Sequence, residues 1–290
     1  MDEQPHVPIL VQQVIEYLAP RAGKKYVDAT IGAGGHAEKI LRASDPDGRL
    51  LGLDADPFAL EIAAARLKKF RARVVLQNSN FENLKRVAAE QGFVPVDGIV
   101  FDLGLSSMQL RDAARGFSFT TDGPLDMRFD PATDTTAADL VNHLRERELA
   151  DLIYGYGEER ASRRIARAIV AARPIRTAVQ LAHVIERAVG RHGRIHPATR
   201  TFQALRIEVN RELDVLQKTL EQIPDLLAPN GRVVVISFHS LEDRIVKNFL
   251  RNEKSLRVLT KHPIRPTNEE TLANPRSRSA KLRAAERVDQ

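Results

Sequence analysis

Three aspartates each close a run of apolar residues, at points where a buried strand would end: Asp28, Asp54 and Asp102. The carboxyl ends of parallel strands share one edge of a sheet, and open α/β sheets bind their ligands at that edge. A carboxylate at Asp102 could contact both a cofactor and the acceptor group; its alternative role is to cap the next helix. Ser106 and Ser107 follow it and add short hydrogen-bonding side chains. We therefore predict a catalytic site containing Asp102, Ser106 and Ser107.

A glycine-rich loop, Gly32-Ala33-Gly34-Gly35, follows the first of these aspartates and precedes a helical pattern. Glycines let the backbone approach a ligand closely, and free N–H groups at a helix start favour an anion. Asp54 lies 20 residues after Gly34, where an acidic residue accepts hydrogen bonds from a ribose diol. The combination indicates an adenosine-containing cofactor, whereas the glycine loop alone would be typical of a tight turn.

The loop has the form Gly-x-Gly-Gly, so the dinucleotide-binding fingerprint is incomplete. Asp28, at the exit of the first strand, would also crowd a pyrophosphate with negative charge. It suits a cationic ligand better, such as the ammonium or sulfonium of S-adenosylmethionine. The alternative role of Asp28 is to cap the loop.

A third cluster, Ile236 to Arg244, follows a further strand pattern and is expected at the same edge of the sheet. His239 is expected to be exposed at the strand end, which makes it a candidate site residue. Ser240 and Asp243 also fit the start of a helix, so Ser240, Glu242 and Asp243 have a structural alternative.

The middle of the chain is rich in arginine. Four arginines follow helical spacing on one predicted face, and a fifth lies in the segment His196–Thr201: Arg160, Arg163, Arg164, Arg167 and Arg200. Such a stripe is commonly only a solvated face. Its combination with the basic tail favours contacts with phosphates, so we predict an RNA-binding surface there.

Strand patterns that alternate with helical patterns predict βαβ units, an α/β fold with a parallel sheet and right-handed crossovers. The series covers Lys25–Thr30, Arg49–Asp54, Arg73–Leu76 and Val96–Asp102, and resumes at Gly231–Ser237. Residues 107–200 show turn clusters and helical patterns instead. The predicted organisation is a discontinuous α/β domain, residues 1–106 and 201–290, interrupted by a helical insertion, residues 107–200. In the basic tail, Leu256–Thr260 has strand composition and is expected to close the sheet.

The 290 residues include no cysteine, which excludes disulfides, zinc–thiolate sites, iron–sulfur clusters and a cysteine nucleophile. No metal-ligand cluster is apparent, so no metal is predicted. The sequence has no apolar run of about 18 residues and no export signal, so we expect a cytoplasmic protein without a membrane span. The net charge of +6 is distributed as −4 over residues 1–144, +7 over 145–211 and +3 over 212–290. The basic middle predicts a polyanion-binding surface beside a small-ligand site.

Together the motifs resemble the RsmH (MraW) family, the bacterial 16S rRNA cytosine-N4 methyltransferases, nearly end to end. The similar segments are His6–Leu10, Asp28–His36, Asp102–Ser107, Arg115–Phe119, Asp122–Arg128, Tyr156–Arg160, His196–Asn210, Ile236–Asp243 and Asn274–Ser279. One small departure is Leu105, where many members have Val. The resemblance implies a Rossmann-like S-adenosylmethionine-dependent methyltransferase domain with an inserted helical domain that recognises rRNA.

The resemblance also implies the reaction, which is methyl transfer from S-adenosylmethionine to the exocyclic amine of a decoding-site cytosine, cytosine-1402 in the family's name. The implied partner is 16S rRNA or the small ribosomal subunit. The cofactor contacts that it implies are Gly34, Gly35, His36, Asp54, Phe81, Asp102 and Gln109.

As a hypothesis, the transfer is direct and in line and needs no metal. Asp102 is predicted to accept a hydrogen bond from the amine, with Ser106 or Ser107 assisting. His239 is the second candidate for relaying the proton lost after methylation. The loop Asp102-Leu103-Gly104-Leu105 lacks the prolines of the (Asp/Asn/Ser)-Pro-Pro-aromatic loop of better-known amino-methyltransferases.

Two other classes share some of these features. A nicotinamide dehydrogenase would share the glycine loop and Asp54, although the incomplete fingerprint and the basic insertion count against it. A non-catalytic ribosome-assembly factor would share the basic surfaces but does not need a cofactor loop. An amphipathic helix can pack within one chain or across a homodimer, and both arrangements fit the sequence.

Overall fold

The computed structural model describes residues 8–191 and 196–288, apart from the side chain of Ser107. His6 and Val7 of the first family-like segment lie outside the described residues. The chain forms two compact units, one made of Met1–Gly104 with Leu213–Gln290 and the other of Leu105–Glu212. The first holds the sheet, and the second is helical.

Seven strands form one sheet within the described part of the chain. They are β1 (Lys25–Asp28), β2 (Arg49–Asp54), β3 (Val74–Asn78), β4 (Val96–Asp102), β5 (Leu227–Ser237), β6 (Leu256–Val258) and β7 (Lys281–Arg287). Their spatial order is β3-β2-β1-β4-β5-β7-β6, and β1 to β5 are parallel. β7 is antiparallel to both of its neighbours, β5 and β6. The predicted α/β class is confirmed, and β6 confirms that part of the tail closes the sheet.

Helices alternate with the strands in the first unit and make up most of the second. In chain order they are α1 (Val11–Leu18), α2 (Gly35–Ala43), α3 (Pro57–Arg66), α4 (Leu84–Glu90), α5 (Ser107–Arg111), α6 (Ala137–His143), α7 (Glu146–Gly157), α8 (Ser162–Ala171), α9 (Ala178–Val189), α10 (Thr199–Asn210), α11 (Glu212–Leu220), α12 (Ile223–Leu226), α13 (Ser240–Asn252) and α14 (Asn268–Ala273). Short 3-10 turns occur at Lys68–Phe70, Phe81–Asn83, Ala113–Arg115 and Pro275–Ser279. No helix among the described residues is long and apolar enough to cross a membrane.

The sheet is covered on both faces, because alternate residues of its strands enter two separate core clusters. In β5, Val233 and Val235 belong to one cluster, whereas Val234 and Ile236 belong to the other. Strands buried on both faces have near-continuous apolar sequences. This burial explains why the parallel strands were recognisable in the sequence.

β7 is the strand that the sequence analysis missed. It is largely buried although it contains Arg283 and Glu286, which are only 7% and 6% exposed. Arg283 Nε lies 2.6 Å from Asp243 Oδ1, and Glu286 pairs with Arg232 at 2.9 Å and with Arg257 at 2.5 Å. Buried charges are tolerated where they are paired. These pairs allow a charged sequence to form an inner strand.

The helical unit has its own core, which includes side chains from α7, α8, α9 and α10. α10 contributes Phe202, Leu205 and Val209 to it. The predicted boundary at residue 200 therefore needs correction, because it would cut α10 near its start. The structure places the boundary at Glu212.

The structure also corrects the first residue of the predicted arginine stripe. α8 begins at Ser162, and the Glu159 carboxylate accepts a hydrogen bond from Ala161 N at 2.8 Å in the turn before it. Arg160 lies in this turn rather than on the helix. The prediction that all four arginines share one helix face is therefore wrong for Arg160, and the helical stripe consists of the other three.

Candidate active site

Three buried or half-buried carboxylates lie together at one edge of the sheet. Asp28, Asp54 and Asp102 are the last residues of β1, β2 and β4, and β1 lies between the other two strands. The chain leaves β1 towards β2 and β3 on one side, and β4 and β5 occupy the other side. Such a reversal of strand order is where open α/β sheets bind ligands. The edge predicted from the sequence is therefore the candidate site.

The loop between β1 and α2 is tied to both neighbouring strands. Gly32 N donates a hydrogen bond to Asp54 Oδ2 at 2.9 Å, and Asp102 N donates to Thr30 Oγ1 at 2.7 Å. Gly32 and Gly34 have φ values of 50° and 76°, in the left-handed region that favours glycine. The loop is thus held in place by the strands that carry the acids.

α2 begins at Gly35, and no side chain of the described residues caps its first turn. The N–H groups of an uncapped first turn remain available to polar groups of a ligand. A Cβ added to Gly35 would lie 3.0 Å from ring atoms of Pro8. Close packing of the amino-terminal segment therefore requires glycine at this position.

Asp54 holds the loop in place and can still accept hydrogen bonds from a ligand. Its Oδ1 accepts from Asp56 N at 2.9 Å, and its Oδ2 accepts from Gly32 N. Burial raises the pKa of Asp54 to about 6, although these hydrogen bonds favour the ionised form. A carboxylate offers roughly four lone-pair sites, so both oxygens can accept a further hydroxyl donor. The geometry is compatible with the predicted ribose contact.

His36 is buried in the first turn of α2 and is 5% exposed. Its Nε2 lies 2.9 Å from Ile9 O, and because a carbonyl oxygen only accepts, Nε2 carries the proton. Burial lowers the pKa of His36, which favours the neutral ring. In that tautomer Nδ1 is an acceptor, and it lies 3.6 Å from Asp102 Oδ2. This distance is too long for a hydrogen bond.

Asp102 Oδ1 is buried and has no hydrogen-bond partner among the described residues. Burial raises the pKa of Asp102 to about 7, Arg276 acts to lower it, and Glu242 acts to raise it. A buried acceptor without a donor carries a desolvation penalty, and a bound ligand can supply the donor. An amine N–H is such a donor.

Asp28 is the most deeply buried of the three acids, at 1% exposure. Burial raises its pKa to about 7, His36 opposes the shift, and Asp102 and Asp54 add to it. Its Oδ1 also accepts from Thr30 N at 3.3 Å, so Asp28 does cap the loop. A positive charge placed near these acids would favour their ionised forms. The cluster therefore fits a cationic ligand.

Phe81 lies beyond the end of β3, in the turn Phe81–Asn83. Its half-buried ring packs edge-on against Phe101, with ring centroids 5.9 Å apart. Thr219 Oγ1 donates to Phe81 O at 3.2 Å and helps to hold the turn. A held aromatic ring of this kind can pack against a nucleobase.

His239 is not exposed, so that expectation was wrong. Its side chain is 7% exposed because it caps α13, with Nδ1 accepting from Glu242 N at 3.4 Å. Glu242 Oε2 accepts in return from Phe238 N and His239 N, at 2.8 and 3.2 Å. His239 Nε2 lies 3.1 Å from Glu242 Oε1, but without hydrogen-bond geometry. These contacts favour a capping role over a proton relay.

Ser106 and Gln109 belong to the helical unit, where they form a capping box at the start of α5. Ser106 Oγ accepts from Gln109 N at 3.1 Å, and Gln109 Oε1 accepts from Ser106 N at 3.0 Å. The Ser106 hydroxyl keeps its own proton as a donor. The side chain of Ser107 lies outside the described part of the structure.

The five predicted RNA-binding arginines are all exposed, namely Arg160, Arg163, Arg164, Arg167 and Arg200. Arg167 Nε lies 3.6 Å from Glu146 Oε1, and a terminal nitrogen of Arg200 lies 3.5 Å from Glu159 Oε2. Exposed ion pairs of this length are weak. The guanidinium groups therefore remain accessible to a polyanion.

Several residues that shape the site received no role from the sequence. Thr30 ties the loop to β4, Ile9 fixes the tautomer of His36, and Arg276 acts on the charge of Asp102. Their separation in the chain gave no indication that they would meet. The one feature of the sequence that could have pointed to them is that all three lie within the segments that resemble the RsmH (MraW) family.

Comparisons with known proteins give a consistent result. The model of the MraW methylase family matches residues 3–288. A Ribosomal RNA small subunit methyltransferase H of Dehalococcoides mccartyi is 53% identical over 307 residues, covering 99% of this chain and 88% of that protein. The protein of the same name from Thermomicrobium roseum is 52% identical over 305 residues, covering 98% and 94%.

Among solved structures, a candidate rRNA methylase from Clostridium thermocellum superposes with a TM-score of 0.50 at 15% sequence identity. The match covers 97% of this chain and 99% of that one. At this identity the likeness concerns the fold alone.

Proposed function

The chain belongs to the MraW methylase family of S-adenosylmethionine-dependent methyltransferases, and from this premise we propose that it methylates N4 of a decoding-site cytosine in 16S rRNA. The observation that carries the proposal is Asp102 Oδ1, a buried acceptor at the switch point of the sheet without a donor among the described residues. An exocyclic amine supplies the donor that this atom lacks. Relatives named for methylation of small-subunit rRNA support the choice of substrate.

The residues proposed to hold S-adenosylmethionine in the first unit are Gly34, Gly35, His36, Asp54, Phe81 and Asp102. The uncapped start of α2 offers N–H groups, and the Asp54 carboxylate offers lone pairs to ribose hydroxyls. The ring of Phe81 offers an aromatic surface to adenine. Gln109 is the further proposed contact, and its amide group is held at the start of α5 by the capping box.

The bound cofactor supplies a methyl group that is already activated on a sulfonium. The amine is the poor partner, because the N4 lone pair is delocalised into the cytosine ring. Asp102 Oδ1, as a carboxylate, accepts an N4–H hydrogen bond and so favours a more tetrahedral, more nucleophilic nitrogen. The transfer would form the N–C bond and break the methyl–sulfur bond, whose electron pair would stay on the sulfur of S-adenosylhomocysteine. The nitrogen would then carry a positive charge until its proton passed to Asp102 and on to solvent.

The surroundings of Asp102 suit this proton transfer. A group with a pKa near 7 is ionised in part of the population at neutral pH and can still take a proton. The neutral ring of His36 beside Oδ2 adds no positive charge that would hold the carboxylate ionised. We assign Ser106 or Ser107 an assisting role, and His239 is the weaker candidate because it caps α13.

The helical unit is the proposed rRNA-recognition domain. Its exposed arginines would contact phosphates, which position an RNA without reading its bases. The target base must leave its stack to reach the edge of the sheet, so a single-stranded or splayed segment is the expected substrate form.

The test is Asp102→Asn, with cofactor affinity and the single-turnover rate on small ribosomal subunits measured separately. The amide keeps the shape but is a much weaker base, so the rate should fall by about 100-fold or more. Asp97→Asn is the matched control, because Asp97 lies near the opposite end of the same strand and pairs with Lys24 at 2.9 Å. An unchanged rate and affinity in Asp102→Asn would remove Asp102 from the mechanism.

A further inference from the structure

α13 begins at the candidate site and leads away from it. Its cap, His239, follows the carboxyl end of β5, and the 13 residues of the helix span about 20 Å. The side chains of Leu241, Val246 and Leu250 are buried in the core of the first unit. The opposite side of α13 is therefore its solvent face.

Three exposed cations follow one another on this solvent face and in the turn beyond it, and we name them the α13 track: Lys247, Arg251 and Lys254. Lys247 and Arg251 are exposed and lie about one helical turn, roughly 6 Å, apart along the axis. Lys254 is exposed in the turn that follows the helix. The nearby Glu253 carboxylate accepts hydrogen bonds from Ser255 N and Oγ, at 3.0 and 2.7 Å, and makes no ion pair with the three cations among the described residues.

The α13 track differs from several other exposed cations of the same unit, which have acidic partners. Lys24 pairs with Asp97 at 2.9 Å, Lys85 with Asp225 at 2.6 Å, and Arg86 with Glu90 at 2.9 Å. Within residues 8–191 and 196–288, none of the three cations of the α13 track takes part in an ion pair. Three neighbouring positive charges without an ion-pair partner repel one another, and a polyanion relieves that repulsion.

We propose that the α13 track binds consecutive phosphates of the RNA strand on one side of the target nucleotide. The inference rests on the proposed function, because it assumes that the substrate reaches the edge of the sheet where α13 starts. A base bound at that edge brings its flanking backbone to the start of α13. The spacing of the cations along the helix then matches a strand that leaves the site in an extended form.

A membrane surface is the other polyanion to weigh against RNA. Helices that lie on membranes bury an apolar face among the lipids. The apolar face of α13 is instead buried in the protein core, and the track offers charge alone. The structure therefore favours RNA phosphates.

The experiment compares two triple variants of the full chain. One is Lys247→Ala with Arg251→Ala and Lys254→Ala, which removes the α13 track. The control is Lys24→Ala with Lys85→Ala and Arg86→Ala, which removes the same charge from paired positions. Affinity for an RNA containing the decoding site is measured over a range of salt concentrations. S-adenosylmethionine affinity and Tm, measured in parallel, establish that both variants are folded.

The track variant should bind the RNA at least tenfold more weakly than the control does. Its plot of log K against log salt should be shallower by about 2, because about 0.7 is lost for each phosphate contact to a single strand. Its kcat/KM for RNA should fall mainly through KM. Equal RNA affinity and salt slope in the two variants would overturn the proposal. Binding to phosphatidylglycerol vesicles is measured for the same variants, and a track variant that loses vesicle binding but keeps RNA binding would also overturn it. Methylation of small subunits by the unaltered protein tests the proposed function separately.

Discussion

Asp102 and His36 face each other at the switch point of the sheet, with His36 Nδ1 3.6 Å from Asp102 Oδ2. The Ile9 carbonyl holds the histidine proton on the far nitrogen, so an acceptor and a carboxyl group meet without a full positive charge between them. The pKa of the Asp102 carboxyl group is therefore governed mainly by burial rather than by a salt bridge. Burial raises this pKa, and Oδ1 of the same carboxyl group is buried without a hydrogen-bond donor among the described residues.

The first prediction concerns the pH dependence of cofactor binding. Burial raises the pKa of Asp28 and of Asp102 to about 7. A sulfonium cation favours the ionised carboxylates, so its binding should release protons and strengthen as the pH rises from 6 to 8. S-adenosylhomocysteine carries no charge on sulfur, and its affinity should depend on pH less. Titration calorimetry in two buffers of different ionisation enthalpy measures both quantities, and identical pH profiles for the two ligands would contradict the prediction.

The second prediction concerns stability. A carboxyl group whose pKa is raised on folding destabilises the native state increasingly as the pH rises from its unfolded value to its folded value. For Asp28 that window runs from 3.8 to about 7. Asp28→Asn keeps an oxygen for Thr30 N and removes the buried charge, so it should raise Tm more at pH 8 than at pH 5. It should weaken S-adenosylmethionine binding at the same time. A Tm lowered equally at both pH values would show that the charge does not destabilise the fold.

The third prediction separates the two roles considered for His239. Asparagine is a good N-cap, so His239→Asn should keep both Tm and the methylation rate. His239→Ala removes the cap of α13 and should lower the free energy of unfolding by about 1 kcal/mol. Thermal unfolding and single-turnover rates provide the comparison. A slow His239→Asn enzyme with an unchanged Tm would restore the histidine as a proton relay.

The fourth prediction concerns the helical stripe of α8. Replacing Arg163 and Arg167 with alanine should weaken RNA binding and flatten its salt dependence. Arg147→Ala with Arg191→Ala is a matched control, because these arginines are also exposed in the same unit but lie outside the stripe. Filter binding at several salt concentrations gives both quantities. Unchanged affinity and slope would mean that the stripe is only a solvated face.

The sequence predicted the parallel strands and the edge of the sheet well, because β2 and β4 are apolar runs that each end in an aspartate. It missed β7, since Arg283 and Glu286 read as exposed charge until their partners are known. It also placed the domain boundary inside α10, because helical periodicity does not say which core a helix packs against.

At the candidate site, the residues that could do chemistry were easier to predict than the burial and contacts of their side chains. The acid at the end of β4 could be found from its position alone. The burial of His239 could not, because capping and exposure give the same local pattern of residues. The approach of Ile9 to His36 and the effect of Arg276 on Asp102 depend on contacts between distant parts of the chain.

The most direct test of the central claim is tritiated methyl transfer to small ribosomal subunits from a strain that lacks this protein, followed by mapping of the modified base. The proposed function predicts one methyl group per subunit, on N4 of a single decoding-site cytosine. The Asp102→Asn variant should incorporate far less label, whereas Asp97→Asn should match the unaltered protein. Label on another atom or base, or none at all with the unaltered protein, would contradict the account.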